Sequence, residues 1–187
     1  MKAIFSYIEE KRKEYECHPF FTQLLANPDL PGEKRLAWAP ITIPFIMGYA
    51  DLNCLFRRNE IADPADPLQA ILNSHTYEED FHWQWFLNDL NRHHANPTLP
   101  LADAVRILWS DDFKHSRTLS LELCALALRS PSYVLFVMME VMEATSMTVF
   151  KNCVGIKLQN GDECEFFGTK HYLAEASHAI YSLDETK

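Results

Sequence analysis

Residues 132–151 constrain the fold more than any other stretch, because YVLFVMMEVMEATSMTVF is apolar around the whole circumference of a helix. A helix that is apolar on every side belongs in the middle of a bundle. Glu140 and Glu143 are its only acids, three apart and on one side. An ionised carboxylate buried without a partner is costly enough that it takes a cation, a metal ion or a proton. Both an ion pair to arginine and a metal ion are open readings for these two. The rest of the chain supplies helices to surround this one. Gly is scarce, at 5 in 187 residues, and Asn160-Gly161 is the single turn signal of the hairpin kind. With 48% hydrophobic residues the chain has enough apolar mass for one core. The expectation is a single helical domain spanning 1–187, all-α.

The formal charge of −9 argues against nucleic acid and against an anionic membrane surface, both of which need a basic patch. Lys11-Arg12-Lys13 is flanked by Glu9, Glu10, Glu14 and Glu16, and reads as a solvated helix face. Five cysteines, at 17, 54, 124, 153 and 164, include no CxxC pair and are odd in number, which suits reduced thiols in the cytoplasm. The opening MKAIFSYIEEKRKEYE turns charged too soon for the apolar stretch of a signal peptide. No uninterrupted apolar run reaches the roughly 20 residues of a membrane span, since Glu140 and Glu143 break the best one.

Along the chain, residues 3–26 read as a charged amphipathic helix with a break near Pro19, and 33–58 as two helical pieces or one kinked at Pro40 and Pro44. Asp63-Pro64 and Asp66-Pro67 form a turn and cap that introduce a helix over 67–93. On that helix Leu68, Ile71, Leu72, His75, Glu79, His82, Trp85, Phe86 and Leu90 follow one another at helical spacing. The stripe begins apolar, turns to His and Glu, and ends apolar. His93-His94 begins a solvated loop, after which 101–110 and 112–129 read as a short and a longer helix. Residues 153–168 are punctuated by Gly155, Gly161 and Gly168, and a final helix runs from about Thr169 to Leu183.

That last helix carries His171-x-x-x-Glu175-x-x-His178, and at 100° per residue the three side chains fall within roughly 60° of arc. Glu79-x-x-His82 repeats the Glu-to-His spacing, with Glu143 on a third helix. Carboxylate oxygens and imidazole nitrogens are good ligands for divalent ions. Glu-x-x-His on two helices with a Glu on another is how helical bundles hold two oxygen-activating metal ions. The expected ligands are Glu79, His82, Glu143, His171, Glu175 and His178, with His75 and Glu140 as additional or supporting groups. For His75, ligation and a hydrogen-bonded core position are equally open. Trp83, Trp85 and Phe86 read as core or cavity lining, and Asp112-x-x-His115 as surface.

The stretches NSHTYEEDFHWQWFLNDL (73–90), MMEVMEATS (138–146) and FFGTKHYLAEASH (166–178) resemble the haem-oxygenase-like superfamily. The likeness is closer to its iron-containing redox branch, the dimetal oxidases that include the Chlamydia protein associating with death domains. The resemblance implies an all-α bundle of about seven helices and non-haem dimetal oxidase chemistry, with the ligands at the six positions just named. Many members of that branch have Asp where Glu175 stands, and some have a Glu where this chain has His75. Two iron ions are the implied cofactor, with manganese or a mixed pair as alternatives. No haem is expected, because His18, the histidine nearest the N-terminus, is followed by Pro19 in acidic surroundings.

Two ferrous ions with three carboxylates leave about one positive charge, and Glu175 is the expected bridging group. The implied partners are dioxygen and a small organic substrate held in the apolar interior, with a homodimer possible. The alternatives are a metal-free enzyme of the thiaminase-like or pyrroloquinoline-quinone-synthase-like kind, in which the Glu/His set forms buried ion pairs, and a helical binding or interaction protein.

Overall fold

The computed structural model describes residues 2–61, 63, 65–92 and 98–178, the last two by backbone only. The readings for His93-His94 and for the final helix beyond residue 178 lie outside them. The protein is an all-α bundle with nine α-helical segments among the described residues, seven to eight helices once the single-turn Gly32–Arg35 is set aside and Pro67–Glu78 and His82–Arg92 are taken as continuous, and no β-strand occurs among the described residues.

Helix α1 (Lys2–Glu16) is the charged amphipathic helix expected. Lys11 pairs with Glu14 and Arg12 with Glu9 one turn apart, so the basic run is tied down along its own helix. After His18-Pro19 the chain makes a π-helical turn, Phe20–Leu25, that buries Phe21 and Leu25. His18 is exposed and spends Nδ1 accepting the Phe20 N–H at 3.1 Å. Residues 33–58 divide into short α2 (Gly32–Arg35), a 3-10 turn at Ala39–Thr42, α3 (Ile43–Leu52) and a π-helical turn at Asn53–Arg57. Pro40 and Pro44 sit in first turns, where a missing N–H costs nothing, so they start helical pieces rather than kink one.

Asp66 caps α4 (Pro67–Glu78), accepting the N–H groups of Leu68 and Gln69 at 3.0 and 3.2 Å, with Pro67 at the first helical position. The expected single helix over 67–93 is interrupted by a 3-10 turn at Glu79–Phe81 before α5 (His82–Arg92) continues it. Then come α6 (Leu101–Leu108), α7 (Lys114–Ala127) and the long α8 (Ser132–Cys153). By length and composition α8 could cross a bilayer, yet here it packs against α1, α4 and α9 (Thr169–His178). Between α8 and α9, an isolated antiparallel bridge joins Lys157 to Glu163 around a turn in which Gly161 has φ +86°, a conformation that favours glycine.

The apolar core falls into two clusters. One gathers Leu52, Leu72, Leu135, Phe136 and Met139, and the other Phe21, Leu36, Phe86, Phe150, Phe166 and Phe167. Along α4–α5 the chain passes from Leu72 in the first to Phe86 in the second, and His75, Glu79 and His82 lie between. Along α8 it passes from Met139 to Phe150, and Glu143 lies between. The polar stretch of each stripe is therefore the seam between two hydrophobic bodies.

Candidate metal centre

Four of the expected ligands meet at that seam. Glu79 from the 3-10 turn, His82 from the start of α5, and His171 and Glu175 from α9 are all buried, and one ligand atom from each lies within 4.8 Å of the others. His82 Nδ1 stands 3.0 Å from Glu79 Oε2, 3.3 Å from Glu175 Oε1 and 3.1 Å from His171 Nε2. His171 Nε2 stands 2.7 Å from Glu175 Oε1. Donor atoms that share one ion at about 2.1 Å stand about 3.0–3.4 Å apart. Four of the pairs, at 2.7–3.3 Å, stand close to that spacing, and the whole set lies within 4.8 Å.

The rings are aimed by their surroundings. His171 Nδ1 donates to the Phe166 carbonyl at 3.1 Å, which leaves the Nε2 lone pair directed into the group. Phe166 is fixed in turn by Asp89, a buried residue on α5 whose carboxylate accepts the N–H groups of Glu165, Phe166 at 2.8 Å and Phe167 at 3.1 Å. His82 stacks on Trp85, with ring centres 4.4 Å apart, and His171 lies against Phe150 at 4.0 Å.

The electrostatics describe a set that holds protons in the absence of a cation. Burial pushes the His82 imidazole down, but hydrogen bonds to Glu175 and Glu79 overcome this and carry its pKa up to about 9. Glu143 is driven up to about 7, chiefly by burial and further by the charges of Glu175 and Glu79, against the lowering effect of its hydrogen bond to His75. Its side chain is 20% accessible, and that opening is onto the cavity it lines together with Glu79, His82, His171 and Glu175.

Glu143 and His75 form a second group beside the first. His75 Nε2 is 2.9 Å from Glu143 Oε1, and Arg57 Nη2 is 3.5 Å from His75 Nδ1. A guanidinium can only donate, so His75 Nδ1 accepts and Nε2–H donates to the carboxylate. His75 is thus a hydrogen-bonded core histidine that orients Glu143. Glu140 is half-buried on α8, with its carboxyl pushed up by burial, and does not line the cavity. The His178 side chain lies outside the described residues.

Three contributors were not anticipated. Arg57 is fully buried and donates to Asn53 Oδ1 at 2.6 Å and to the Tyr49 hydroxyl at 3.0 Å, while Tyr49 itself is kept protonated by burial. Asp89 reads from sequence as an ordinary polar position. A lone cation ending the apolar run of 43–57 was the available signal for Arg57; for Asp89 there was none. No family model matches the chain, and no curated protein aligns with it significantly.

Proposed function

We propose that this protein is a metal-dependent oxidoreductase of the haem-oxygenase-like dimetal kind, using iron to act on a small organic molecule in the bundle interior. The observation that carries the reading is the convergence of Glu79, His82, His171 and Glu175 from three elements onto one buried point at the wall of a cavity. Two carboxylates and two neutral imidazoles around one divalent ion are electrically neutral, which is what a buried cation requires. Mixed carboxylate and imidazole donors suit iron and manganese. A second ion would draw on Glu143 and would raise the local charge to about +1.

Bound iron would supply the binding and reduction of dioxygen. The chain supplies the rest. Glu79, His82, His171 and Glu175 would hold the ion, and Phe166 and Asp89 keep His171 turned toward it. Glu143, held at Oε1 by His75 and lining the cavity, is placed to exchange a proton with a bound molecule. The test is metal content after expression in iron-supplemented cells, followed by optical spectra as oxygen is added to the ferrous protein. Retained iron that falls at least tenfold in Glu175→Ala, with an oxygen-dependent transient, is expected. No iron retained by the native protein would refute the reading.

A second reading has its own support, since the same four residues already hydrogen-bond one another at 2.7–3.3 Å. In that case the group is a structural proton-sharing cluster in a metal-free binding protein, and chelators leave its melting temperature unchanged.

A further inference from the structure

The cavity beside the metal centre has a volume of about 450 Å³, in the range of small-molecule sites. One end is the Glu/His group. Its remaining walls come from α3, with Phe45, Ile46 and Ala50; from α7, with Leu119 and Leu123; and from α8, with Val141, Met142 and Val149. Phe20, Trp38 and Phe167 form an edge-to-face aromatic chain across it, with ring centres 5.0 and 4.7 Å apart. Among the described residues no lysine or arginine lines it, and the Glu/His end holds its only acids.

Five polar side chains elsewhere on the wall direct a hydrogen to a main-chain carbonyl. Thr42 donates to Ala39 at 2.6 Å, Thr145 to Val141 at 2.8 Å and Ser146 to Glu143 at 3.1 Å. The indole N–H of Trp38 donates to Arg35 at 2.9 Å, and that of Trp83 to Asp80 at 3.1 Å. The Tyr49 oxygen accepts from Arg57. A carboxylate, ammonium or phosphate in the body of this cavity would lose its hydration and gain no counter-charge.

We infer that the ligand of this cavity is an uncharged, predominantly apolar molecule, whose polar or reacting group lies at the Glu/His end. Nucleotides and sugar phosphates do not suit it, because they carry charge and polar groups along the whole molecule that the walls do not match. The inference rests on the proposed reading for the reaction, but the binding itself needs no metal.

The test is therefore made on the full-length protein after treatment with a chelator. N-phenyl-1-naphthylamine, a neutral fluorophore, is titrated in, then displaced by naphthalene or by naphthylalanine, which carries the same ring on a zwitterion. Naphthalene should displace it at concentrations at least tenfold lower. Thr145 and Val141 are wall residues that are also exposed, so Thr145→Trp and Val141→Trp can obstruct the cavity without repacking the core. Whichever variant keeps the native circular dichroism spectrum should bind the fluorophore at least tenfold more weakly. No binding, equal displacement by the two competitors, or full binding by a folded obstructed variant would each overturn the inference. Because the readout is metal-free, these outcomes are independent of whether iron is retained.

Discussion

Asp89→Ala should damage both the stability of the bundle and the metal centre, although Asp89 is not a ligand. Its carboxylate accepts three successive main-chain N–H groups, at Glu165, Phe166 and Phe167, and it is 3% exposed. Each hydrogen bond to a charged acceptor contributes about 1.5–3 kcal/mol, and removing the acceptor leaves three buried donors to find water. Burial works against this, driving the Asp89 carboxyl above its ordinary value despite the three N–H groups. That opposing cost, with the non-additivity of neighbouring bonds, places the net loss at about 3–5 kcal/mol rather than the full sum. For a domain of this size the loss lowers the melting temperature by roughly 6–20 °C.

The second effect follows from geometry. Once residues 165–167 relax, the Phe166 carbonyl no longer holds His171 Nδ1, and the ring can turn its Nε2 away. Thermal unfolding by circular dichroism measures the first effect, and metal content of the folded fraction the second. Asp89→Asn, which keeps one acceptor oxygen, should fall between wild type and Asp89→Ala in both. A melting temperature for Asp89→Ala within about 2 °C of wild type would refute the stability argument. Unchanged metal content in a destabilised variant would refute the link from Asp89 through Phe166 to His171.

Metal binding should release protons. His82 titrates near 9 in the metal-free protein, raised from 6.5, so its proton stabilises the fold fully below about pH 6.5 and that contribution is lost as the pH rises through 9. At pH 7.5 a divalent ion must displace it, and calorimetry in two buffers of different ionisation enthalpy should give about one proton or more per ion; a value near zero would contradict the assignment. The thiols should separate by environment: Cys17 and Cys54 are exposed, whereas Cys153 is buried and pushed up to about 12, and burial also raises Cys164. Iodoacetamide at pH 8 followed by mass spectrometry should therefore label the first two in the native protein and the last two only after unfolding. Gly168→Ala should cost about 2 kcal/mol or more, read as a lower melting temperature, because the added Cβ would meet the Cys164 carbonyl oxygen at 2.1 Å.

Much of the site was legible because helical periodicity reports faces. The triplet on α9 predicts that His171 and Glu175 share one face, and the stripe on α4–α5 predicts that Glu79 and His82 point inward; packing brings the two faces together. Periodicity alone does not separate the roles of His75 and His82. On an ideal helix His75 and His82, seven residues apart, would point within about 20° of each other. The 3-10 turn at Glu79–Phe81 advances about 120° per residue, which turns an offset of about −20° into about +40°, so the two still lie on one side of the helix, two turns apart. His82 meets α9 through His171 while His75 meets Glu143 on α8, the supporting position that the sequence left open. Arg57 and Asp89 were illegible for another reason, since a buried charge is recognised only by the partners the fold brings to it.

The face that α9 turns inward has a consequence for the order of assembly. His171 and Glu175 are buried, while Leu173 on the opposite side is 61% exposed, so the fully buried side chains of this helix are acid and imidazole, with Tyr172 packed beside them against the apolar core. Hydrocarbon associates with any hydrocarbon, but an acid and an imidazole associate only where charge and protons balance. The two apolar clusters can therefore condense first, and the last helix closes over them once a proton or an ion stands ready to neutralise its inward face.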